Sequence, residues 1–257
     1  MGQLNGRVAV ITGGGRGIGR AIALRYASEG ALIVVSSRTA SDLEAVLSQA
    51  RVDASAGHAV VADAMDRAGA RRPVEEALDR FGRVDVLVNN VGGTVGRAHD
   101  PFTTDDETFE ATLVLSLTSA WWTTSAALAS MRDQQRGSII NIGSGAAKNT
   151  GGSLPYTTAK HGLVGFTKQL AADVAPHGIT VNCLCPGYTN TSLLDFTRIA
   201  QRDGVTVHEA RTRAESLSLQ RRVLEPEELA GMATLLAADD GRGITAQVIS
   251  VDGGYKV

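Results

Sequence analysis

The sequence predicts an α/β fold in which a doubly wound, seven-stranded parallel sheet carries helices on both faces of a single domain. Three observations predict it. Short apolar runs alternate with longer segments at helical period from one end of the chain to the other. Runs such as 8–11 and 32–35 are apolar throughout instead of alternating with polar residues, the pattern of strands covered on both faces. At 257 residues and 43% hydrophobic content, the chain fills one substantial core without needing to divide.

The first strand is expected at residues 8–11, followed by a helical segment at 18–29. Further strands are expected at 32–35, 58–62, 84–88, 138–142, 179–184 and 247–251. Each gap holds the crossover helix that parallel neighbours require. One such helix spans residues 105–129, and another starts near Ser153, which reads as its cap, and stops before Pro176. A polar, arginine-rich stretch at about 188–222 interrupts the rhythm and reads as a substrate-covering insertion in the 1–257 domain. Its Arg198, Arg202, Arg211, Arg213, Arg221 and Arg222 alternate with Asp195, Asp203, Glu209 and Glu215, which describes a solvated helical face better than a cationic docking site.

A formal charge of -2 and a pI near 6.2 give no positive field for nucleic acid or an anionic membrane, so a small-molecule substrate is the expected partner. No apolar run approaches the roughly 18 to 20 residues of a membrane span. Residues 1–8 lack the basic start and apolar centre of an export signal, and the expected location is the cytoplasm. Cys183 and Cys185 are expected in a strand with their thiols on opposite faces, unable to bridge. His58, His99, His161, His177 and His208 are scattered without ligand spacing, so no metal site is expected.

Directly after the first strand comes Thr12-Gly13-Gly14-Gly15-Arg16-Gly17-Ile18-Gly19, and then a helix. Glycines permit positive φ and let backbone approach a pyrophosphate, while the helix start offers unpaired N–H groups and a positive dipole end. No register places glycines at all three positions of G-x-G-x-x-G, but T-G-x-x-x-G-x-G fits. That pattern resembles the short-chain dehydrogenase/reductase family. The resemblance continues through Asn89-Asn90-Val91-Gly92, Tyr156-Thr157-Thr158-Ala159-Lys160, Pro186-Gly187 and Val251-Asp252-Gly253-Gly254, and so covers nearly the whole chain. It implies a Rossmann-like domain that binds NAD(P)(H), moves a hydride between carbonyl and alcohol, and assembles as a homotetramer or homodimer.

Cofactor choice is expected to be decided at the end of the second strand, where an acidic residue would bind the ribose 2′-hydroxyl of NAD. The strand ends Val35-Ser36-Ser37-Arg38 instead, and Arg38 with Arg16 is suited to the 2′-phosphate of NADP, so NADP(H) is preferred and NAD(H) remains open. By resemblance, Asp63 with Ala64 contacts the adenine, and Asn90, Val91 and Gly92 lie beside the ribose, with Val91 replacing a more usual Ala. Pro186 and Gly187, with Tyr188, Thr189 and Thr191, resemble the family's turn against the nicotinamide carboxamide and phosphates.

Tyr156 and Lys160 are four apart on one helix face and able to interact. Reduction of a carbonyl needs a proton for the developing alkoxide, and a free phenol gives up its proton only near pH 10. An ammonium about 4 Å away favours the phenolate by about 4 kcal/mol at an effective dielectric of 20, which suits Tyr156 to act as general acid in reduction and base in oxidation. Ser144 follows the fifth strand, and by resemblance its hydroxyl holds the substrate oxygen. Where many family members carry a catalytic Asn that supports a water beside the lysine, this chain has Ser116, whose hydroxyl offers fewer donors and acceptors. Expected substrates are a 3-oxoacyl thioester or a cyclic ketone. The alternatives are an NAD(P)-dependent cis-dihydrodiol dehydrogenase forming a catechol, and a non-catalytic NADP-binding regulator.

Overall fold

The computed structural model describes residues 2–96 and 100–256, and His99 lies outside them. Seven parallel strands form one sheet: β1 (Val8–Thr12), β2 (Leu32–Ser37), β3 (Gly57–Val61), β4 (Val86–Asn89), β5 (Gly137–Ile142), β6 (Ile179–Pro186) and β7 (Val248–Val251), in the order β3-β2-β1-β4-β5-β6-β7. Val10 of β1 stands opposite Val34 of β2 on one side and Leu87 of β4 on the other. From β1 the chain winds outward through β2 and β3, then crosses back to β4. The connections leaving β1 and β4 therefore diverge and open a crevice at the carboxyl ends of these strands.

Helices cover both faces. On one lie α1 (Gly17–Ser28), α2 (Ala40–Ala50) and α9 (Pro226–Ala237), on the other α3 (Arg67–Phe81), α5 (Ser119–Asp133) and α6 (Leu154–Val174), each layer closing its own apolar core. Tyr26 of α1 is fully buried; its hydroxyl donates to Ala233 O at 2.8 Å and joins α1 to α9, and burial raises its pKa.

The single helix expected at 105–129 is interrupted. α4 (Asp106–Leu113) passes into a π turn at Val114–Thr118 before α5 begins. There Ser119 N bonds back to Val114 O, and the Ser119 hydroxyl takes Leu115 O at 2.7 Å, so a side chain satisfies a carbonyl displaced from the regular ladder. Ser153 occupies the N-cap position of α6 without capping it; its Oγ lies 3.1 Å from Thr94 Oγ1. α6 stops before Pro176, as the ring requires. Gly162 in α6 makes room for the Leu117 side chain of the π turn, since a Cβ there would lie 2.9 Å from Leu117 Cδ2.

The two cysteines correct the sequence reading. Residues two apart on a strand share a face, and Cys183 Sγ and Cys185 Sγ are 3.8 Å apart, both buried and both free. The insertion is helical, with α7 (Phe196–Asp203) and α8 (Val207–Ser216). Three of its arginines face carboxylates: Arg202 with Asp203 (2.6 Å), Arg211 with Glu215 (2.8 Å) and Arg222 with Glu228 of α9 (2.6 Å). No helix among the described residues is long and apolar enough to cross a membrane, and no group of acidic, His or Cys side chains among them is arranged to hold a metal ion.

Candidate active site

The crevice at the carboxyl ends of β1, β2 and β4 is a cleft of about 580 Å³. Its floor is the glycine turn. Gly13 and Gly17 adopt φ of 63° and 54°, where a side chain would be strained. A Cβ at Gly19 would lie 2.4 Å from Gly13 O and 2.5 Å from Asn90 Nδ2, so the turn closes only over a bare backbone. Asn90 holds it shut, its Nδ2 donating to Thr12 O (3.0 Å) and Gly13 O (3.1 Å). Thr12 Oγ1 in turn accepts from Asn90 N (3.0 Å) and Val91 N (3.3 Å), tying β1 to the segment after β4.

Of the residues expected to meet a dinucleotide, Gly13, Arg16, Gly17, Ile18, Ser37, Arg38, Asp63, Ala64, Asn90, Val91, Gly92 and Thr191 line this cleft. Gly15 and Gly19 stand behind its surface within the turn. Pro186, Gly187 and Thr189 are not in its lining: Thr189 Oγ1 donates to Gly187 O at 3.0 Å, and Gly187 packs against Asp252. The cleft also includes Asp42, in the first turn of α2, which the sequence reading passed over by looking for an acid only at the strand end.

Tyr156, Lys160, Ser144 and Ser116 are likewise outside the lining, and Lys160 and Ser116 meet it at Gly92. A Cβ at Gly92 would lie 2.9 Å from Lys160 Nζ and 3.5 Å from Ser116 Oγ, so this glycine separates the cleft from the lysine by backbone alone. Lys160 is 2% exposed, and its ammonium donates to Ile142 O at 2.7 Å. Among the described residues no carboxylate pairs with it, so its charge is spent on its surroundings, with the half-buried Tyr156 ring centroid 5.7 Å away.

Ser144 Oγ accepts from Ala146 N at 3.1 Å, capping the short turn Gly145–Ala147, and among the described residues its own proton meets no acceptor. Behind that turn stands Tyr255, so close that a Cβ at Gly145 would meet its ring at 2.6 Å. Tyr188 meets Tyr255 edge to face at 5.7 Å. Burial and the neighbouring phenol push Tyr255 up to about 12, and burial raises Tyr188 as well. Nothing in the sequence pattern pointed to Tyr255, which comes from the C-terminal end of the chain.

Ser116 lies in the π turn, 1% exposed. Its hydroxyl donates to Gly93 O at 2.8 Å and accepts from Gly93 N at 2.9 Å, so the donor that a water would need is already committed to the backbone. The residue clamps the strip that carries Gly92. Beneath the site a buried polar chain fixes the elements that carry it. Asn89 Nδ2 donates to Asn141 Oδ1 (2.8 Å) and Thr124 Oγ1 (3.0 Å), Asn141 Nδ2 to Thr167 Oγ1 (2.9 Å), and Thr167 Oγ1 to Leu163 O (2.7 Å), linking β4, β5, α5 and α6.

Comparison with known proteins bears on what this arrangement does. A family model described as short chain dehydrogenase matches residues 7–202. The chain is 39% identical to a provisionally named ketoacyl reductase of the monensin polyketide synthase from Streptomyces virginiae, over 99% of this chain and 98% of that one. It is 34% identical to the 3-oxoacyl-[acyl-carrier-protein] reductase FabG of Haemophilus influenzae, over 98% of each. A solved structure from Sinorhizobium meliloti 1021, provisionally described as a short-chain alcohol dehydrogenase, superposes with a TM-score of 0.89 at 30% identity, covering 98% of this chain and 97% of that one.

Proposed function

This chain belongs to the short chain dehydrogenase family, and from that membership we propose that it is an NADP(H)-dependent oxidoreductase interconverting a ketone or aldehyde and a secondary alcohol. The observation that carries the proposal is the buried, carboxylate-free ammonium of Lys160, set beside Tyr156 and under Gly92 at the inner end of the cleft.

The cleft fits a dinucleotide. Its glycine turn brings bare backbone to the surface at Gly13 and Gly17, and Arg16 and Arg38 are exposed guanidiniums in its lining, paired with no carboxylate among the described residues. Arg16, Ser37 and Arg38 would hold the 2′-phosphate end, Asp63 and Ala64 the adenine, Asn90 to Gly92 the ribose, and Thr191, the one residue of the 186–191 turn in the lining, the carboxamide and phosphate end. When bound, the nicotinamide supplies or accepts the hydride. Tyr156 hands its phenolic proton to the carbonyl oxygen in reduction and takes it back in oxidation, and the Lys160 charge stabilises the phenolate between those events. The free O–H of Ser144 donates to the same substrate oxygen. Ser116 holds Gly93, and through it keeps Gly92 over the lysine.

The relatives named as ketoacyl and 3-oxoacyl reductases support a 3-oxoacyl thioester as substrate, with a cyclic ketone as the second candidate. The same reading places the protein in the cytoplasm as a homodimer or homotetramer. Trp121, 47% exposed and edge-on to Phe166 at 6.4 Å, supports association of that face. The test is a nucleotide-consumption screen with NADPH and NADH across β-ketoacyl thioesters, cyclic and aromatic ketones and aldehydes, with cis-dihydrodiols and NAD(P) run in reverse. Reduction with at least tenfold higher kcat/KM for NADPH supports the proposal. Activity on cis-dihydrodiols alone selects that alternative, and tight NADPH binding without any turnover selects a regulator.

A further inference from the structure

We propose that Asp42 sets the choice between the two dinucleotides, opposing a 2′-phosphate and accepting a hydrogen bond from a free 2′-hydroxyl at the same subsite. The proposal deepens the NADP(H) reading above and rests on it only for where the dinucleotide lies. Asp42 is the third residue of α2, after the N-cap Thr39, and it returns to the cleft that the strand end had just left. Its stem packs on the glycine turn: a Cβ at Gly15 would lie 3.0 Å from Asp42 Cβ and 3.1 Å from Ser37 Oγ.

The surrounding groups leave its carboxylate unspent. Ser37 Oγ donates to Thr39 O at 3.0 Å and accepts from Thr39 N at 3.2 Å, so that hydroxyl serves the local turn. Asp42 is half-buried and makes no hydrogen bond or ion pair among the described residues. Arg38, four residues before Asp42, lines the same cleft, and so does Arg16. Beside Ser37 and Arg38 there is thus one anion with acceptor capacity to spare, in a cleft that two guanidiniums also line. A phosphate near charge −2 gains from both guanidiniums and loses to the carboxylate, whereas a ribose diol finds in Asp42 the acceptor that the end of β2 does not provide. A carboxylate in the first turn also favours its own helix, and that contribution is the same for either nucleotide.

The test is fluorescence titration of the wild type and Asp42→Asn with NADPH and NADH, at low salt and at 0.3 M salt. The isosteric change keeps the shape and removes the charge. The NADPH Kd is expected to fall about tenfold at low salt and by less at high salt, while the NADH Kd stays or rises up to about threefold. Asp42→Ala, checked for folding by circular dichroism, is expected to move the ratio in the same direction. Equal shifts for both nucleotides, or none for NADPH, overturn the proposal and leave Asp42 as a helix-start residue. A wild type that binds NADH tenfold tighter than NADPH sinks the cofactor reading instead, and the variant-to-wild-type change in the ratio still decides the role of Asp42.

Discussion

Replacing Lys160 by Met removes the buried charge while nearly preserving the side-chain length, and its cost follows from the geometry. A unit charge 5.7 Å from the centre of the Tyr156 ring, at an effective dielectric of 20, is worth about 3 kcal/mol to a phenolate. At about 1.4 kcal/mol per tenfold, Lys160→Met should lower kcat by about a hundredfold. The variant also leaves Ile142 O without its donor, which costs about 1–3 kcal/mol of stability in a buried place, so folding is verified by circular dichroism before kinetics. The assay is steady-state carbonyl reduction at saturating NADPH, with the NADPH Kd measured separately by fluorescence. Because Lys160 touches the cleft through Gly92, a rise of a few fold in Kd is expected beside the loss in kcat. A variant that keeps more than a third of the wild-type kcat, or whose whole defect disappears at saturating nucleotide, refutes the electrostatic role.

Thr167→Val, nearly isosteric and fully buried, strips Asn141 Nδ2 of its acceptor and should cost about 1–3 kcal/mol in urea unfolding; an unchanged midpoint would show that the polar chain under the site is not stabilising. Gly19→Ala pushes a methyl to within 2.4 Å of Gly13 O, and should weaken nucleotide binding tenfold or more by titration, a result contradicted by a Kd equal to wild type. Glu228 is held down to about 2 by its hydrogen bond from Arg222, together with one from Glu225 N. A depressed carboxylate stabilises the fold above its unfolded value near 4.5 and loses that contribution as pH falls through about 2. Arg222→Ala should therefore move the acid-unfolding midpoint to higher pH, and superimposable acid limbs would count against it.

The sheet was readable because burial on both faces leaves continuous apolar runs, as at 8–11 and 32–35, with little competing pattern. The glycine turn was readable because backbone approach leaves no choice of residue at Gly13, Gly17 and Gly19. The π turn at Val114–Thr118 escaped notice because it shifts the hydrogen-bond ladder without changing the composition of an amphipathic helix. The hydroxyl of Ser116 could be located by alignment of motifs, but its two bonds to Gly93 depend on how α4 and the strip after β4 meet in space. Asp42 and Tyr255 come from a helix start and the chain's C-terminal end, and only tertiary packing brings them to the site. The cysteine pair was misread for a simpler reason: residues i and i+2 of a strand point the same way.

The central claim is that the Tyr156 hydroxyl supplies the proton that accompanies hydride transfer. Single-turnover reduction of a responsive carbonyl by the NADPH complex of Tyr156→Phe tests it most directly, with the NADPH Kd measured on the same preparation. A Kd within about threefold of wild type and a reduction rate lower by about 10² to 10⁴ are predicted. A rate within tenfold of wild type, with nucleotide bound, would contradict the claim.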